Sequence, residues 1–167
     1  MVTGVSRGSD KITVADIPAL TGLRGYAAIA VCVFHFTLPW PADYQNWAMP
    51  LARQGNYGVP IFFVLSGFIL SYVYAEWFCK SVTGSDYVRF IQFRLARIYP
   101  LHFVLLIVAA TMIGAGITLG ESQYNTSLSF VLNLFLLQAW GYPNSVSWNL
   151  PSWTISVESF AYLLFPF

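Results

Sequence analysis

The 167 residues are 57% hydrophobic and 18% aromatic but only 9% charged, with a mean hydropathy of +0.61, whereas a soluble domain carries about 25% charged residues. Eight Lys and Arg against seven Asp and Glu, a formal net charge of +1, are too few for a polar shell, a nucleic-acid footprint or a solvated disordered chain. The apolar surface must face lipid, so the bilayer is a partner and nucleic acid is not.

The fold class expected is all-α, a polytopic transmembrane helix bundle. Residues 1–16 read as a polar N-terminal lead. Beyond them, charge-free gaps run from Arg24 to Asp43, Arg53 to Glu76, Arg97 to Glu121 and Glu121 to Glu158. A spanning helix needs roughly 20 mostly apolar residues. About four spans are therefore expected, near residues 20–39, 57–76, 98–118 and, more weakly, 127–140, plus the start of a fifth from Ser152. The final run, FAYLLFPF, is too short to cross a core of about 30 Å, so residues 17–167 read as the N-terminal half of a longer membrane domain.

Lys and Arg in short loops set orientation. Arg7, Lys11 and Arg24 precede or open the first span, and Lys80, Arg89, Arg94 and Arg97 fill the connection between spans two and three. Only Arg53 lies between spans one and two. The N-terminus is expected to be cytoplasmic. The first run has no small-residue cleavage site after Phe36 and reads as a retained helix. Cys32 and Cys79 lack CxxC spacing, so neither a disulfide nor a metal site is expected.

An ionisable side chain inside a span costs a few kcal/mol and is a functional candidate by default. Arg24 and His35 are eleven positions apart, which on a helix leaves them roughly 20° apart on one face and about 16 Å apart along the axis. That stripe includes Ala28 and Val31 and is expected to face protein or a cavity. Arg24 alone reads as a headgroup anchor. His35 is a natural proton acceptor, with helix-to-helix hydrogen bonding the alternative.

In YVRFIQFRLARIYP, Arg94 and Arg97 lie three apart and form a candidate two-pronged clamp for phosphates. An ordinary positive-inside cluster is the competing reading. The apolar neighbours Phe90, Ile91, Phe93, Leu95 and Ile98 favour an interfacial helix that fixes the arginines in place. Glu158 follows a long uncharged stretch, with Ser152 a candidate helix cap after Pro151 and Trp148 and Trp153 resembling an interfacial belt. It reads equally as a reactive carboxylate or as a structural one. His102 falls near the headgroups and reads as structural, while Gly67 and Ser71 in VLSGFILSY make a small-xxx-small packing face.

Four stretches together resemble one family, in order along the chain: IPALTGLRGYAAIAVCVFHF, GVPIFFVLSGFILSY, FRLARIYPLHF and WNLPSWTISVESFAYLLFP. The ordered set is similar to the acyltransferase-3 family of integral membrane acyltransferases. The family's Arg-x10-His pattern falls on Arg24 and His35, and its Arg-x-x-Arg motif on Arg94 and Arg97. Its tryptophan-serine-leucine-x-x-glutamate pattern falls on Trp153, Thr154, Ile155 and Glu158, with Thr154 and Ile155 in place of the commoner residues.

The resemblance implies transfer of an acyl group, most often acetyl, from acyl-CoA to a hydroxyl of a sugar or lipid-linked glycan. It implies a bacterial inner-membrane location and no metal. Arg94 and Arg97 would bind the donor, His35 would act as general base or transient acyl carrier, Arg24 would position the donor or tune the site, and Glu158 would orient His35 or bind the acceptor. The sequence leaves two rivals: a proton-coupled transporter in which His35 and Glu158 relay protons, and an inactive truncated membrane fragment.

Overall fold

The computed structural model describes residues 18–37, 48–79, 81–117, 122–141 and 147–167; the polar lead expected over 1–16 lies outside them. The regular elements among the described residues are helical. They are α1 (Pro18–Thr37), α2 (Ala48–Arg53), α3 (Gly58–Phe78), α4 (Gly84–Gly114), α5 (Ser127–Leu134) and α6 (Ser152–Leu164). Among the described residues, three stretches are long and apolar enough to cross a membrane: Pro18–Thr37, Met49–Ala75 and Gly84–Gly114. The chain divides into two compact units, residues 1–80 and 81–167.

In the first unit, α1 starts on Pro18, whose fixed φ suits a first helical turn. It packs on the 3-10 turn Gln54–Tyr57 and on the start of α3. Two glycines make this approach possible. A Cβ on Gly55 would run into the Ala30 carbonyl oxygen, and one on Gly58 would lie 2.6 Å from Val31 Cγ2 and 2.8 Å from the Ala27 carbonyl oxygen. The packed seam of α1 is therefore Ala27, Ala30, Val31 and Phe34. The small face expected at Gly67 and Ser71 is instead exposed, and a Cβ on Gly67 would meet nothing within 4 Å. Close backbone approach has replaced the small-xxx-small motif as the packing device.

In the second unit, the Thr83 hydroxyl accepts from the Asp86 backbone N–H at 3.2 Å and caps α4. The arginine segment does not form a separate interfacial helix. It is continuous with span three in one helix of 31 residues that passes through Pro100, about 46 Å long at 1.5 Å per residue. That length exceeds a core of about 30 Å, so the charge-free gap measured the lipid depth and not the helix. Gly116, at φ +83, ends it: its N–H donates to Ile113 O, and the N–H of Ile117 reaches back to Met112 O, both at 3.0 Å.

The fourth expected span is helical only over the eight residues of α5, about 12 Å, too short to cross. The same closing motif recurs there: Leu136 N–H donates to Asn133 O at 3.1 Å and Leu137 N–H to Leu132 O at 2.8 Å. The left-handed residue is now Leu136, at φ 59, a conformation that costs a branched residue about 1–2 kcal/mol. Neighbouring helices hold the break open. From α4, Tyr99 Oη donates to Leu134 O at 3.0 Å and His102 Nε2 to Asn133 O at 2.8 Å. From α6, Ser156 Oγ donates to Leu136 O at 2.7 Å.

The segment SWNLPSW does not continue away from the end of α5. The Trp148 backbone N–H donates to Asn125 Oδ1 at 2.6 Å and its indole N–H to Ser129 Oγ at 2.9 Å, at the level where α5 starts. From there α6 runs parallel to 125–140, pairing Ser152 with Asn133, Ser156 with Leu136, and Trp140 with Phe160. It runs antiparallel to α4, with Phe167 beside Tyr87 and Tyr162 beside Phe90. Trp148 thus spends its N–H groups within the protein and not as an interfacial belt. Ser152 does not cap α6; its hydroxyl donates to Asn133 Oδ1 at 3.1 Å.

Candidate active site

Arg24 and His35 both lie on α1, an unbroken helix of 20 residues that keeps them on one line about 16 Å apart. Both are half-buried. Their line runs along the edge of the packed seam and not down its middle: Val31 is partly covered, but Ala28, which sits between them, is exposed. The His35 ring meets Phe34 edge-on at 5.3 Å between centroids. An otherwise apolar span therefore carries one imidazole near its far end and one guanidinium near its start.

In the second unit, Arg94 and Arg97 have different surroundings despite their spacing. Arg94 is 7% exposed. Its guanidinium carbon lies 5.9 Å from the ring centroid of Phe90 and 5.7 Å from that of Tyr162, a position in which the ring quadrupoles favour the cation. Arg97 is exposed, because three residues turn a helix by roughly 300° and leave the two side chains about 60° apart. Arg89 is exposed as well, 5.5 Å from the Phe93 ring.

Glu158 is half-buried on α6 and accepts a hydrogen bond from Tyr162 Oη, one turn along, at 2.5 Å. Tyr162 is 2% exposed, wedged against Phe90 at 6.3 Å. The fold thus brings two of the candidates, Arg94 and Glu158, onto one tyrosine, Arg94 beside its ring and Glu158 at its hydroxyl. Tyr162 carries no sequence signal of its own beyond following Glu158 by four positions, which on a helix puts it on the same face.

His102 is structural in its contacts: it is 1% exposed and bonded to the broken end of α5. Ser129, Asn133, Gln138, Ser147, Ser152 and Ser156 are buried as well. Asn133 and Gln138 interrupt the apolar run 127–140, a signal in the sequence that one face of this stretch meets protein, while Leu128, Val131 and Phe135 on the rest of it are exposed.

The chain is similar to known acyltransferases. Acyltransferase MdmB of Streptomyces mycarofaciens is 36% identical over 162 residues, covering 92% of this chain and 39% of that protein. Peptidoglycan O-acetyltransferase OatA of Listeria monocytogenes is 27% identical over 160 residues, 90% of this chain and 24% of that protein. The chain therefore spans two fifths or less of the length of these relatives. No solved structure matches it. A family model described as an acyltransferase domain matches residues 17–167, all four motif stretches included, and the chain belongs to the acyltransferase-3 family.

Proposed function

We propose that this chain works in a membrane-embedded acyltransferase that moves an acyl group, acetyl above all, from acyl-CoA to a hydroxyl of a sugar or lipid-linked glycan. The observation that carries the reading is His35, an imidazole in register with Arg24 inside an apolar helix of the family's membrane domain. A relative named for O-acetylation of peptidoglycan points to a glycan as the acceptor class.

In this reading the arginine-bearing end of α4 faces the cytoplasm. Arg97, exposed, meets the donor's phosphates from water, and Arg94, held beside two rings, completes the clamp from the protein side. Because α6 is antiparallel to α4, Glu158 lies toward that same end. Of the roles open to it, fixing Tyr162 against Arg94 is the one its hydrogen bond supports, which makes Glu158 a positioning residue. His35 takes the proton of the acceptor hydroxyl as its oxygen attacks the thioester carbonyl; coenzyme A leaves as the thiolate and is then protonated. Arg24 orients the donor along the same helix face.

The test is coenzyme A release from acetyl-CoA by membranes carrying the full-length protein, wild type against His35→Ala, with a crude glycan acceptor. Acceptor-dependent release lost in the variant supports the reading. Release from neither protein, with both expressed and several acyl donors tried, removes it in favour of transport or an inactive remnant. Acid quenching with a radiolabelled donor separates the two roles of His35: label retained on the protein would make it an acyl carrier and not a base.

A further inference from the structure

Around its axis α1 presents three different faces. Ala27, Ala30, Val31 and Phe34 form the packed seam against the Gln54–Tyr57 turn and the start of α3. Tyr26, Ile29, Val33 and Phe36 are exposed within about 80° of one another, an unbroken surface of large apolar side chains of the kind that meets lipid. The third face carries Arg24 and His35. Between them stands Ala28, exposed, within about 40° of both, about 6 Å along the axis from Arg24 and about 10 Å from His35. Gly25 and Cys32 beside it are exposed as well, and a Cβ on Gly25 would meet nothing within 4 Å among the described residues.

A face that carries two ionisable groups inside an apolar span is turned to protein or to a cavity and not to lipid. The distance between the two groups, about 16 Å along the axis, limits what the space beside that face can hold. A coenzyme A thioester carries its acyl group at the end of a narrow arm of two amide-linked units. From the diphosphate to the sulfur the arm has about twelve bonds, which at the extended-backbone rise of about 1.2 Å per bond comes to about 15 Å. The arm and the helix segment therefore match in length, with the phosphate end at Arg24 and the thioester at His35. A large side chain at position 28 would stand in the arm's way.

We infer that Ala28 is a specificity-determining residue of the proposed reaction: its methyl side chain leaves room for the donor's arm to lie extended along α1 from Arg24 to His35. The inference rests on the acyl-transfer reading and adds to it the path of the donor. It also gives the eleven-residue spacing a physical meaning. One turn fewer would force the arm to buckle, and one turn more would leave the thioester short of the imidazole.

The experiment is a size series at one position in the full-length protein: Ala28→Val, Ala28→Leu and Ala28→Phe, with Ile29→Phe, on the large apolar face, as the control. Coenzyme A release from acetyl-CoA in membranes gives KM and kcat, and thermal unfolding in detergent reports packing. The expected result is a KM for acetyl-CoA that rises with side-chain volume, about tenfold at Ala28→Leu, with kcat near wild type at saturating donor, melting unchanged, and Ile29→Phe at the wild-type KM. A flat KM across the series overturns the inference, as does a loss confined to kcat or a rise equalled in Ile29→Phe. A rise that tracks a falling melting temperature overturns it too, because it makes Ala28 a contact between helices and not a passage. Wild-type turnover with a flat series removes the donor path alone, whereas no wild-type turnover of any acyl-CoA removes the acyl-transfer reading and the path with it.

Discussion

The guanidinium of Arg94 lies 5.7 Å from the centre of the Tyr162 ring, and that tyrosine's hydroxyl is hydrogen-bonded to Glu158. One residue outside both motifs thus links the Arg-x-x-Arg pair of α4 to the carboxylate of α6. The ring and the hydroxyl do different work, and substitutions separate them.

Tyr162→Phe keeps the ring beside Arg94 and Phe90 and removes only the donor to Glu158, a hydrogen bond worth about 0.5–1.5 kcal/mol. Tyr162→Ala also empties a site that is 2% exposed, and loss of a buried aromatic costs about 3–5 kcal/mol. Thermal unfolding in detergent is expected to rank wild type above Phe above Ala. Equal melting of the two variants would mean that the ring contact with Arg94 contributes nothing.

Arg94 and Arg97 are expected to fail in different ways. Arg97 is exposed, so Arg97→Ala changes stability by no more than about 0.5 kcal/mol and raises the KM for acyl-CoA with little effect on kcat. Arg94→Ala loses two ring contacts at a desolvated cation, about 2 kcal/mol, and lowers the melting temperature as well as donor binding. Arg94→Lys falls between, because an ammonium keeps the charge but not the planar stacking. An unchanged KM in Arg97→Ala would sink the two-pronged clamp.

Gly55 and Gly58 set how closely α1 approaches the rest of its unit. In each case an added methyl meets backbone of α1, which cannot swing aside as a side-chain end does. Gly55→Ala and Gly58→Ala are each expected to destabilise by about 1–3 kcal/mol through overpacking. Gly67→Ala, whose methyl meets nothing within 4 Å in its own unit, serves as the control. Chemical denaturation of the three variants checks this; a Gly67 variant as unstable as the others would return the packing face to Gly67 and Ser71.

Charge-free gaps located α1, α3 and the start of α6 because a charge in hydrocarbon costs several kcal/mol, so the spacing of charges measures lipid depth directly. The same ruler shortened α4, whose first turns carry Asp86, Arg89, Arg94 and Arg97 while remaining helical. It lengthened α5, because composition does not register a backbone break made at Leu136 where a glycine would ordinarily stand. Arg94 and Glu158 were legible as ionisable groups in apolar surroundings. Tyr162 was not, since the chain has ten tyrosines and only tertiary pairing distinguishes this one. His102 was legible as structural, but its partner, the Asn133 carbonyl at the end of α5, was not.

The break in α5 depends on Ser156 more than its size indicates. Its hydroxyl donates to the carbonyl of left-handed Leu136 at 2.7 Å and accepts from the Ala139 N–H at 3.1 Å, so it satisfies a donor and an acceptor that the helix end exposes. Ser156→Ala leaves both inside the protein, where each unsatisfied group costs about 1–3 kcal/mol. Ser159→Ala is the matched comparison: Ser159 Oγ reaches Leu136 O only at 3.5 Å and otherwise bonds within its own helix, to Ser156 O at 2.7 Å. Hydrogen exchange is expected to accelerate at Leu137 and Ala139 in Ser156→Ala, with α4 unaffected, and to change little in Ser159→Ala. Equal protection at those amides in both variants would show that the left-handed turn holds without the serine, leaving Tyr99 and His102 of α4 as the groups that fix it.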